Sequence, residues 1–414
     1  MRLKLPVFCA IIGAIASVVF WLFLYLIKLG TELVWEFIPG VFPGGVLYPL
    51  IICTFGGLII GIFRRLFGDY PEDMMTVFGK LKKEKTYTYR KLPILLIAAL
   101  LPLIFGSSVG PEAGMVGVIV ALCCWAGDKI KFAGNMSEYY SMMGAQVTLS
   151  VMFRSPLFGL FDVDEETGET DAIDQKKDLE GSTKIIMYGM ATGAGFGMFW
   201  LMNTFFGKVT EGFPTFELVP AQKVDYLLFI MYLICGIILG LFYEISEKIL
   251  AKTGNKLPRV IKETVAGFIL GGVACLLPVI RFSGEEQMGI LIRDYSKYAP
   301  LAMIGIAFLK IIMTNMCISF GLKGGHFFPL IFAAVCLGFG LSLLIFPLDI
   351  SHATYAAAIV AAGTLGVSMK KPLAVSMLLL ICFPAGYLLW ILPSAALSAW
   401  CGKLLLNRSD DSKY

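Results

Sequence analysis

Charged residues and histidine are scarce in this sequence. Of its 414 residues, 15% are charged, and the two histidines are His326 and His352. The ten cysteines include no pair with the C-x-x-C spacing, so the ligand sets of zinc and iron–sulfur sites are missing, and we predict no metal and no cofactor. The apolar segments also lack a convincing set of nucleophile and acid–base groups, which argues against an enzyme.

Basic patches interleaved with aromatic residues are missing too. The formal net charge is +4, and Lys and Arg cluster in short stretches such as Arg64-Arg65 and residues 80–91. This pattern excludes a nucleic-acid interface. Basic loops are retained in the cytoplasm, and Arg2 and Lys4 precede the first apolar run while the basic stretch 64–91 follows the second. We therefore predict a cytoplasmic N-terminus.

Apolar residues and glycine are abundant instead. Hydrophobic residues make up 57% of the chain, glycine occurs 44 times, and the mean hydropathy is +0.79, a composition typical of a membrane protein. Apolar runs of about 18 residues or more are long enough to span a bilayer. Clear runs cover residues 6–28, 47–63, 185–206, 226–243 and 300–320. We predict an all-α, multi-pass protein of the cell membrane, in contact with membrane lipid.

Other apolar segments are short or interrupted by glycine and proline, and these cover residues 109–127, 328–346, 356–365 and 372–385. Such half-membrane helices are typical of channels and transporters. A charged stretch over residues 162–184 divides the chain into two apolar halves. We predict a single transmembrane domain over residues 1–406, with repeats over about 1–180 and about 181–406, followed by a tail at 407–414.

Two short motifs place a proline five residues after a glycine and then enter an apolar run. The first helix start runs from Gly106 to Pro111, and the second runs from Gly324, through Gly325, to Pro329. Proline suits the first helical position, and the N–H groups and dipole of a helix N-terminus attract an anion without a buried Lys or Arg. We predict an anion site made mainly of the backbone N–H groups of Ser107, Ser108, Val109, Gly110, His326, Phe327 and Phe328. The plainer alternative is a pair of interrupted helices in which glycine and proline only allow close packing.

Residues 310–329 resemble a pattern of the CLC family of chloride channels and transporters. In that pattern a Lys and spaced Thr and Ser precede Gly-Gly-x-Phe-x-Pro, and here Lys310, Thr314 and Ser319 precede the second helix start. Residues 106–111 and 154–159 resemble two further motifs of the family. The resemblance implies the CLC fold, with two inverted-topology repeats and broken helices that meet at mid-membrane. It also implies chloride as the transported ion and a homodimer with one pore per subunit, in a prokaryotic-type member without cytoplasmic regulatory domains.

Val109 matches the family's gate position. In the family, a carboxylate at this position competes with the anion and carries protons in exchangers, whereas a valine cannot bind a proton. The sequence therefore favours passive conduction of chloride or a similar small monovalent anion. Glu112, one helical turn away, either acts as a displaced gate or satisfies N–H groups in its own first turn, and we favour the second role. Glu166 matches an inner proton-transfer glutamate of exchangers or, as we favour, lies in a solvated acidic loop.

Two side-chain ligands of the family depart from its pattern. Its serine-bearing loop corresponds to residues 68–72, where Asp69 would repel an anion and Tyr70 would donate its hydroxyl. Its late tyrosine has no match, since Tyr387 lies too early. His326 either makes conduction pH-dependent or is anchored among helix-start polar groups. The alternatives to a channel are a proton-coupled chloride antiporter that uses a displaced carboxylate and a non-conducting relative.

Overall fold

The computed structural model describes residues 4–41, 45–84, 87–129, 137–159, 161, 181–210, 212–347 and 349–411. Within these ranges every regular element is a helix. The principal helices are α1 Lys4–Glu32, α2 Tyr48–Phe67, α3 Met74–Glu84, α4 Leu92–Ile104, α5 Glu112–Lys129, α6 Ser137–Met152, α7 Gly181–Phe206, α8 Lys223–Gly254, α9 Ile261–Leu276, α10 Glu285–Arg293, α11 Pro300–Ser319, α12 Phe327–Ile345, α13 Ala353–Met369, α14 Pro372–Leu379 and α15 Leu388–Asp411.

Eight helical stretches of the described chain are long and apolar enough to cross a membrane. They are Pro6–Val41, Gly45–Phe67, Ile185–Phe206, Lys223–Gly254, Pro300–Ser319, Phe327–Ile345, Ile350–Met369 and Ala385–Leu406. Each of the five runs predicted from hydropathy coincides with one of them to within one residue at its ends or is contained in it. The prediction of a multi-pass, all-α membrane protein is therefore confirmed.

Helices α12 and α13 are more continuous than the sequence predicts. The expected interrupted pieces are helices of 19 and 17 residues, and both are buried over almost their whole length. The small residues that suggested breaks are points of close helix contact, since Gly338 of α12 lies against Ala357 of α13, and Gly363 of α13 lies against Gly236 of α8. Small residues of this kind are typical of helix packing in membranes.

Helices α2 and α9 pack against each other through glycine. The contacts are Gly61 with Val260, Gly57 with Glu263, Gly267 with Cys53, and Gly271 with Leu50. Because the numbers rise along one helix as they fall along the other, the two helices are antiparallel. The end of α2 and the start of α9 therefore lie at one end of the molecule, called here the Arg64 end. The start of α2 and the end of α9 lie at the other, the Trp35 end.

The same succession of elements occurs twice along the chain. After α2 come a short helix, α3, a longer apolar helix, α4, and the first helix start leading into α5. After α9 come a short helix, α10, a longer apolar helix, α11, and the second helix start leading into α12. This order agrees with two repeats, whose predicted boundary near residue 180 lies outside the described residues.

Helix α1 runs in the opposite direction to α2. A π-helical turn, Leu33–Phe37, continues α1, and Trp35 in this turn contacts the ring of Tyr48 at the start of α2, with centroids 5.9 Å apart. The guanidinium of Arg281, which follows α9, lies 4.2 Å from the centre of the Trp35 ring. The start of α1 and the basic stretch after α2 therefore lie at the same end of the molecule.

The outer helices present large apolar side chains on their free faces. Leu227 of α8 and Leu389 of α15 are each 81% exposed, and Trp200 of α7 is 66% exposed. In water such surfaces promote association, whereas in a bilayer they face lipid tails. The fold thus places its buried helices α12 and α13 at the centre and its apolar outer surface toward lipid.

Candidate functional site

The two helix starts lie against each other. The N–H of Gly110 donates to the carbonyl of Gly325 over 2.7 Å, and the N–H of Gly325 donates back to the carbonyl of Gly110 over 2.7 Å. This antiparallel bridge is formed by residues from opposite halves of the chain. The structure thus brings together the two motifs that the sequence singled out.

The prolines sit in slightly different places at the two helix starts. Helix α5 begins at Glu112, and the carbonyl of Pro111 just before it accepts the N–H of Met115 over 3.1 Å. Helix α12 begins at Phe327, so Pro329 is its third residue. Neither proline is the first helical residue as predicted, but both occupy positions where no intrahelical N–H bond is needed, and proline is tolerated there.

Most backbone N–H groups of the first helix start are bound within the protein. The N–H of Ser107 donates to the carbonyl of Pro102 over 2.9 Å, and the N–H of Val109 donates to the carbonyl of Ser107 over 2.8 Å. The N–H of Gly110 is used in the bridge. The predicted role of these three groups as anion ligands stays a prediction, and each of them has an acceptor within the protein. They belong to a turn that precedes α5.

Side chains of the first helix start pack closely around the bridge. Gly106 has a φ of 78°, in the left-handed region that favours glycine. The hydroxyl of Ser108 shares a hydrogen bond of 3.2 Å with the hydroxyl of Thr314. Val109 is fully buried, and its side chain lies against Gly324. The predicted gate position is thus a packing contact between the two helix starts.

Glu112 places its carboxylate at the second helix start. Its Oε1 accepts the N–H of Phe327 over 2.7 Å and the N–H of Phe328 over 3.4 Å, and the residue is 2% exposed. The expectation that Glu112 satisfies N–H groups in its own first turn describes one part of its contacts. Its carboxylate interacts with its own backbone N–H, and its hydrogen bonds with the N–H groups of Phe327 and Phe328 reach across to α12. The predicted anion ligands Phe327 and Phe328 thus hold a protein carboxylate.

Two glycines leave the space that this carboxylate fills. A Cβ atom built on Gly325 would overlap the carboxyl carbon of Glu112, and one built on Gly110 would overlap its Oε2. Within the described part of the chain, Oε2 is buried and has no hydrogen-bond partner. The two residues that form the bridge therefore also shape the pocket for the carboxylate.

The N-terminus of α5 supplies further N–H groups beside the carboxylate. The first N–H groups of an α-helix have no intrahelical acceptor, and in α5 they belong to Glu112, Ala113 and Gly114. Sequence reasoning placed the site before Pro111 and so missed Ala113 and Gly114. The overlooked signal is Pro111 itself, because the unbonded N–H groups of a helix start belong to the residues that follow such a proline. The carboxylate lies between two positive helix ends, which stabilise its charge.

Aromatic rings surround the second helix start. The Phe328 ring stacks on Phe213 with centroids 4.9 Å apart and lies 5.1 Å from Phe153. His326 lies 4.5 Å from Phe327 and 5.4 Å from Tyr243, measured between ring centroids. This arrangement anchors His326 among rings beside the helix end. It also covers the carboxylate site with apolar groups.

Asp69 belongs to a charged cluster at the Arg64 end. Arg64 pairs with Asp69 and with the fully buried Glu263, and Lys323 lies 3.0 Å from Asp69. Burial raises the pKa of Asp69, but the hydrogen bond and charge of Arg64, together with Lys323, outweigh it and hold the pKa at about 2. The predicted repulsion of anions is therefore balanced by two cations.

Tyr70 lies beside a lysine near the Arg64 end of the molecule. The hydroxyl of Tyr70 accepts a hydrogen bond from Lys91 over 3.3 Å, and the same amine lies 5.3 Å from the centre of the Tyr70 ring. This places its hydroxyl beside a basic side chain, and the predicted donor role of that hydroxyl toward an anion stays a prediction. Glu166 lies outside the described residues.

A protein-family comparison covers most of the chain. The family described as "Voltage gated chloride channel" matches residues 56–403, a range that contains both helix starts and Glu112. The chain belongs to this chloride channel family. CLC membership agrees with the resemblance carried by residues 310–329, and it places the bridge and the carboxylate within the matched region.

Curated relatives of this CLC chain are described as ion-transport proteins. The "Putative ion-transport protein YfeO" of Shigella flexneri is 23% identical over 359 residues, which covers 82% of this chain and 78% of the relative. The protein of the same name from Escherichia coli (strain SE11) matches to the same extent, 23% over 359 residues. These relatives are not described as enzymes, in agreement with the prediction of a non-enzymatic protein.

Solved structures of CLC proteins share the fold of the chain. A slow cyanobacterial Cl⁻/H⁺ antiporter matches with a TM-score of 0.76 and 18% identity, covering 100% of this chain and 99% of that one. A CLC-type fluoride/proton antiporter matches with a TM-score of 0.72 and 17% identity, covering 97% and 95%. A eukaryotic CLC transporter gives 0.69 and 15%, covering 97% and 72%. The predicted CLC fold is confirmed.

Proposed function

We propose that the chain exchanges a small monovalent anion for protons across the membrane, with Glu112 as the gate. The observation that carries this proposal is the hydrogen bond of 2.7 Å from the N–H of Phe327 to the Glu112 carboxylate. The carboxylate holds the N–H groups that sequence reasoning assigned to the transported anion. CLC-type anion transport itself is supported by the family match over residues 56–403.

The exchange follows from competition for one set of N–H groups. An ionised carboxylate is itself an anion, and hydrogen bonds to N–H groups favour its charged form. When Glu112 takes up a proton, its negative charge is neutralised and its hold on Phe327 and Phe328 weakens. A chloride ion then takes the N–H groups, and Glu112 returns to them only when it has released its proton and the anion has left.

Passive conduction is the function that Val109 favours in the sequence. A valine at the gate position offers no proton-binding group, so conduction without coupling is the expected outcome if Val109 alone sets the mechanism. The buried carboxylate of Glu112 supports coupled exchange instead, because it supplies such a group three residues later. The antiporters among the similar structures are in keeping with this choice.

Chloride is the anion that we propose, on the strength of the family. Backbone N–H groups also attract nitrate, bromide and fluoride, so flux is to be compared among these four ions. The protein is a homodimer in the cell membrane, with one pore in each subunit. Chemical cross-linking of the purified protein in lipid vesicles tests that state.

The decisive experiment measures chloride efflux and proton uptake together in reconstituted vesicles. The wild-type protein is expected to move protons uphill when a chloride gradient is imposed. Glu112→Gln and Glu112→Ala are expected to keep chloride flux and to lose coupled proton movement, because neither glutamine nor alanine has a side chain that takes up and releases protons. Val109→Ala is the matched control, since it trims a neighbouring buried side chain, and it is expected to keep the wild-type ratio of protons to chloride.

Three results overturn the proposal in different ways. Chloride flux in the wild-type protein without proton movement would establish the passive channel that Val109 favours. A folded wild-type protein that moves neither ion would establish a non-conducting relative. Coupling that persists in Glu112→Gln would show that a group other than Glu112 carries the proton.

A further inference from the structure

A small cavity borders the gate on the side of the Trp35 end. Its volume is about 30 Å³, and its lining includes Pro111 and Phe328 from the two helix starts. Three polar side chains, Arg154, Thr210 and Glu285, line the same cavity. About 10–15 Å³ is enough for one water molecule when polar partners are present. The cavity therefore has room for water between Glu285 and the residue that precedes Glu112.

The loop that carries Glu285 is tied to the first helix start. Glu285 is the first residue of α10 and follows Gly284, whose φ of 105° is in the left-handed region. Just before it, the N–H of Phe282 donates to the carbonyl of Gly106 over 3.3 Å. The loop follows the end of α9 and so lies at the Trp35 end, opposite the Asp69 cluster. This attachment fixes the position of Glu285 relative to the gate.

Glu285 lies between exposed and buried parts of the protein. It is half-buried, whereas Arg154, which also lines the cavity, is exposed. The hydroxyl of Thr210 donates to Oε2 of Glu285 over 3.4 Å. The side-chain charge of Glu285 interacts with those of Arg154 and Glu286, as well as with the Glu112 carboxyl group. The thiol of Cys382, in the loop after α14, also interacts electrostatically with Glu285.

Glu112 needs an intermediary to exchange protons with the solution. It is 2% exposed, and the rings of Phe153, Phe213 and Phe328 pack over the second helix start. Its Oε2, unpartnered among the described residues, is an acceptor for an incoming proton. A second carboxyl group that shares a water-sized cavity with the helix start meets this need, because carboxyl groups relay protons through one intervening water.

We infer that Glu285 is the proton-transfer residue that connects the solution at the Trp35 end with the Glu112 gate. This inference rests on the proposed function. In the loading step, protonated Glu285 releases its proton through water in the cavity to the Glu112 carboxylate, which becomes neutral. Glu285 is left ionised, held by the Thr210 hydroxyl and the positive charge of Arg154, and it regains a proton from the solution. The reverse sequence unloads the gate.

The test compares two adjacent glutamates. Glu285→Gln removes the proton-binding group from the cavity, whereas Glu286→Gln removes the exposed neighbour that does not line it. In vesicles with a chloride gradient, Glu285→Gln is expected to lower proton flux by roughly tenfold or more while chloride flux is retained. Glu286→Gln is expected to keep both fluxes, and Glu285→Asp, which restores a carboxyl group, is expected to recover part of the proton flux.

The outcomes separate this inference from the proposed function. If the wild-type protein moves no protons, the proposed function fails and the inference fails with it. If the wild-type protein is coupled and Glu112→Gln is uncoupled, but Glu285→Gln keeps the wild-type ratio, only the inference fails. A Glu285→Gln protein that loses chloride flux and proton flux equally, with no recovery in Glu285→Asp, also overturns it, because that pattern reports a role in folding or in the anion path.

Discussion

At the residue scale, the gate depends on two glycines as much as on the carboxylate between them. Gly110 and Gly325 exchange backbone hydrogen bonds of 2.7 Å, and neither position has room for a Cβ atom beside the Glu112 carboxyl group. The φ of Gly325 is not among the left-handed values of the chain. Its requirement for glycine is therefore one of space rather than of backbone conformation.

Gly325→Ala tests this requirement directly. The added methyl group overlaps the carboxyl carbon of Glu112, so we expect the carboxylate to leave the N–H groups of Phe327 and Phe328. Proton coupling should then fall toward that of Glu112→Ala, as measured by paired chloride and proton fluxes. The overpacking also costs about 1–3 kcal/mol of stability.

Gly305→Ala is the control for this substitution. Gly305 lies within α11, and a Cβ atom there meets no atom within 4 Å, so both fluxes should match the wild-type protein. Wild-type coupling in Gly325→Ala would contradict the proposed position of the carboxylate.

The sequence predicts the two helix starts but not which side chain occupies them. Spacing shows that Glu112 lies one turn beyond Val109, and a first-turn N–H group is then the nearest hydrogen-bond donor to its carboxylate. The actual partner, the N–H of Phe327, belongs to a helix from the other half of the chain. Such contacts depend on how the two halves dock, which one sequence does not determine. The sequence assigns the gate to position 109 because a family motif is matched over a short stretch of the chain, and such a match does not reveal contacts between the two halves.

At the element scale, a buried lysine holds the loop between α9 and α10. The Lys310 amine is fully buried and donates to the carbonyls of Ile280 over 2.9 Å and Phe282 over 2.7 Å. A third contact, of 3.4 Å, reaches the carbonyl of Arg281. The same loop presents Glu285 to the cavity, so Lys310 links the long helix α11 to the position of that carboxyl group.

Lys310→Met should destabilise the protein. Methionine fills similar volume but leaves carbonyl groups without a donor, and each buried unsatisfied group costs about 1–3 kcal/mol. We expect the thermal unfolding midpoint in detergent to fall by several degrees. Lys297→Met is the control, since that side chain is 72% exposed and its ion pair with Asp294 contributes about 1 kcal/mol or less. Equal midpoints for the two variants would show that the Lys310 contacts contribute nothing.

Hydropathy predicts the outer helices well and the central ones less well. Long apolar runs identified α1, α2, α7, α8 and α11, because lipid-facing helices need apolar residues around most of their surface. Helices α12 and α13 are covered by protein, so they tolerate the glycines and alanines that suggested interruption. Their continuity follows from packing against neighbours such as Gly236, which periodicity does not reveal.

At the scale of the whole molecule, the two ends differ in charge and in access to the gate. The Arg64 end carries the cluster of Arg64, Asp69, Glu263 and Lys323, and the start of α1 lies at this end. The Trp35 end carries the cavity with Glu285. If basic loops remain in the cytoplasm, the Arg64 end is cytoplasmic and the cavity faces outward.

Epitope tags at two positions test this orientation. One tag precedes Lys4, and the other replaces the exposed turn at Lys297, between α10 and α11 at the Trp35 end. In intact cells the tag at Lys297 should bind antibody, whereas the N-terminal tag should bind only after permeabilisation. The opposite labelling pattern would show that the protein has the inverse orientation in the membrane, with the Glu285 cavity on the cytoplasmic side.

The double hydrogen bond between Gly110 and Gly325 also bears on how fast the gate can work. Because the two helix starts are hydrogen-bonded to each other, their backbones can keep their positions while the gate opens. Only the Glu112 side chain has to rotate for the N–H groups of Phe327 and Phe328 to become free. Rotation of one side chain is a smaller motion than the rearrangement of packed helices, which takes microseconds to milliseconds. For the proposed exchange, we therefore expect turnover to be limited by the delivery of a proton to Glu112 rather than by movement of the helices.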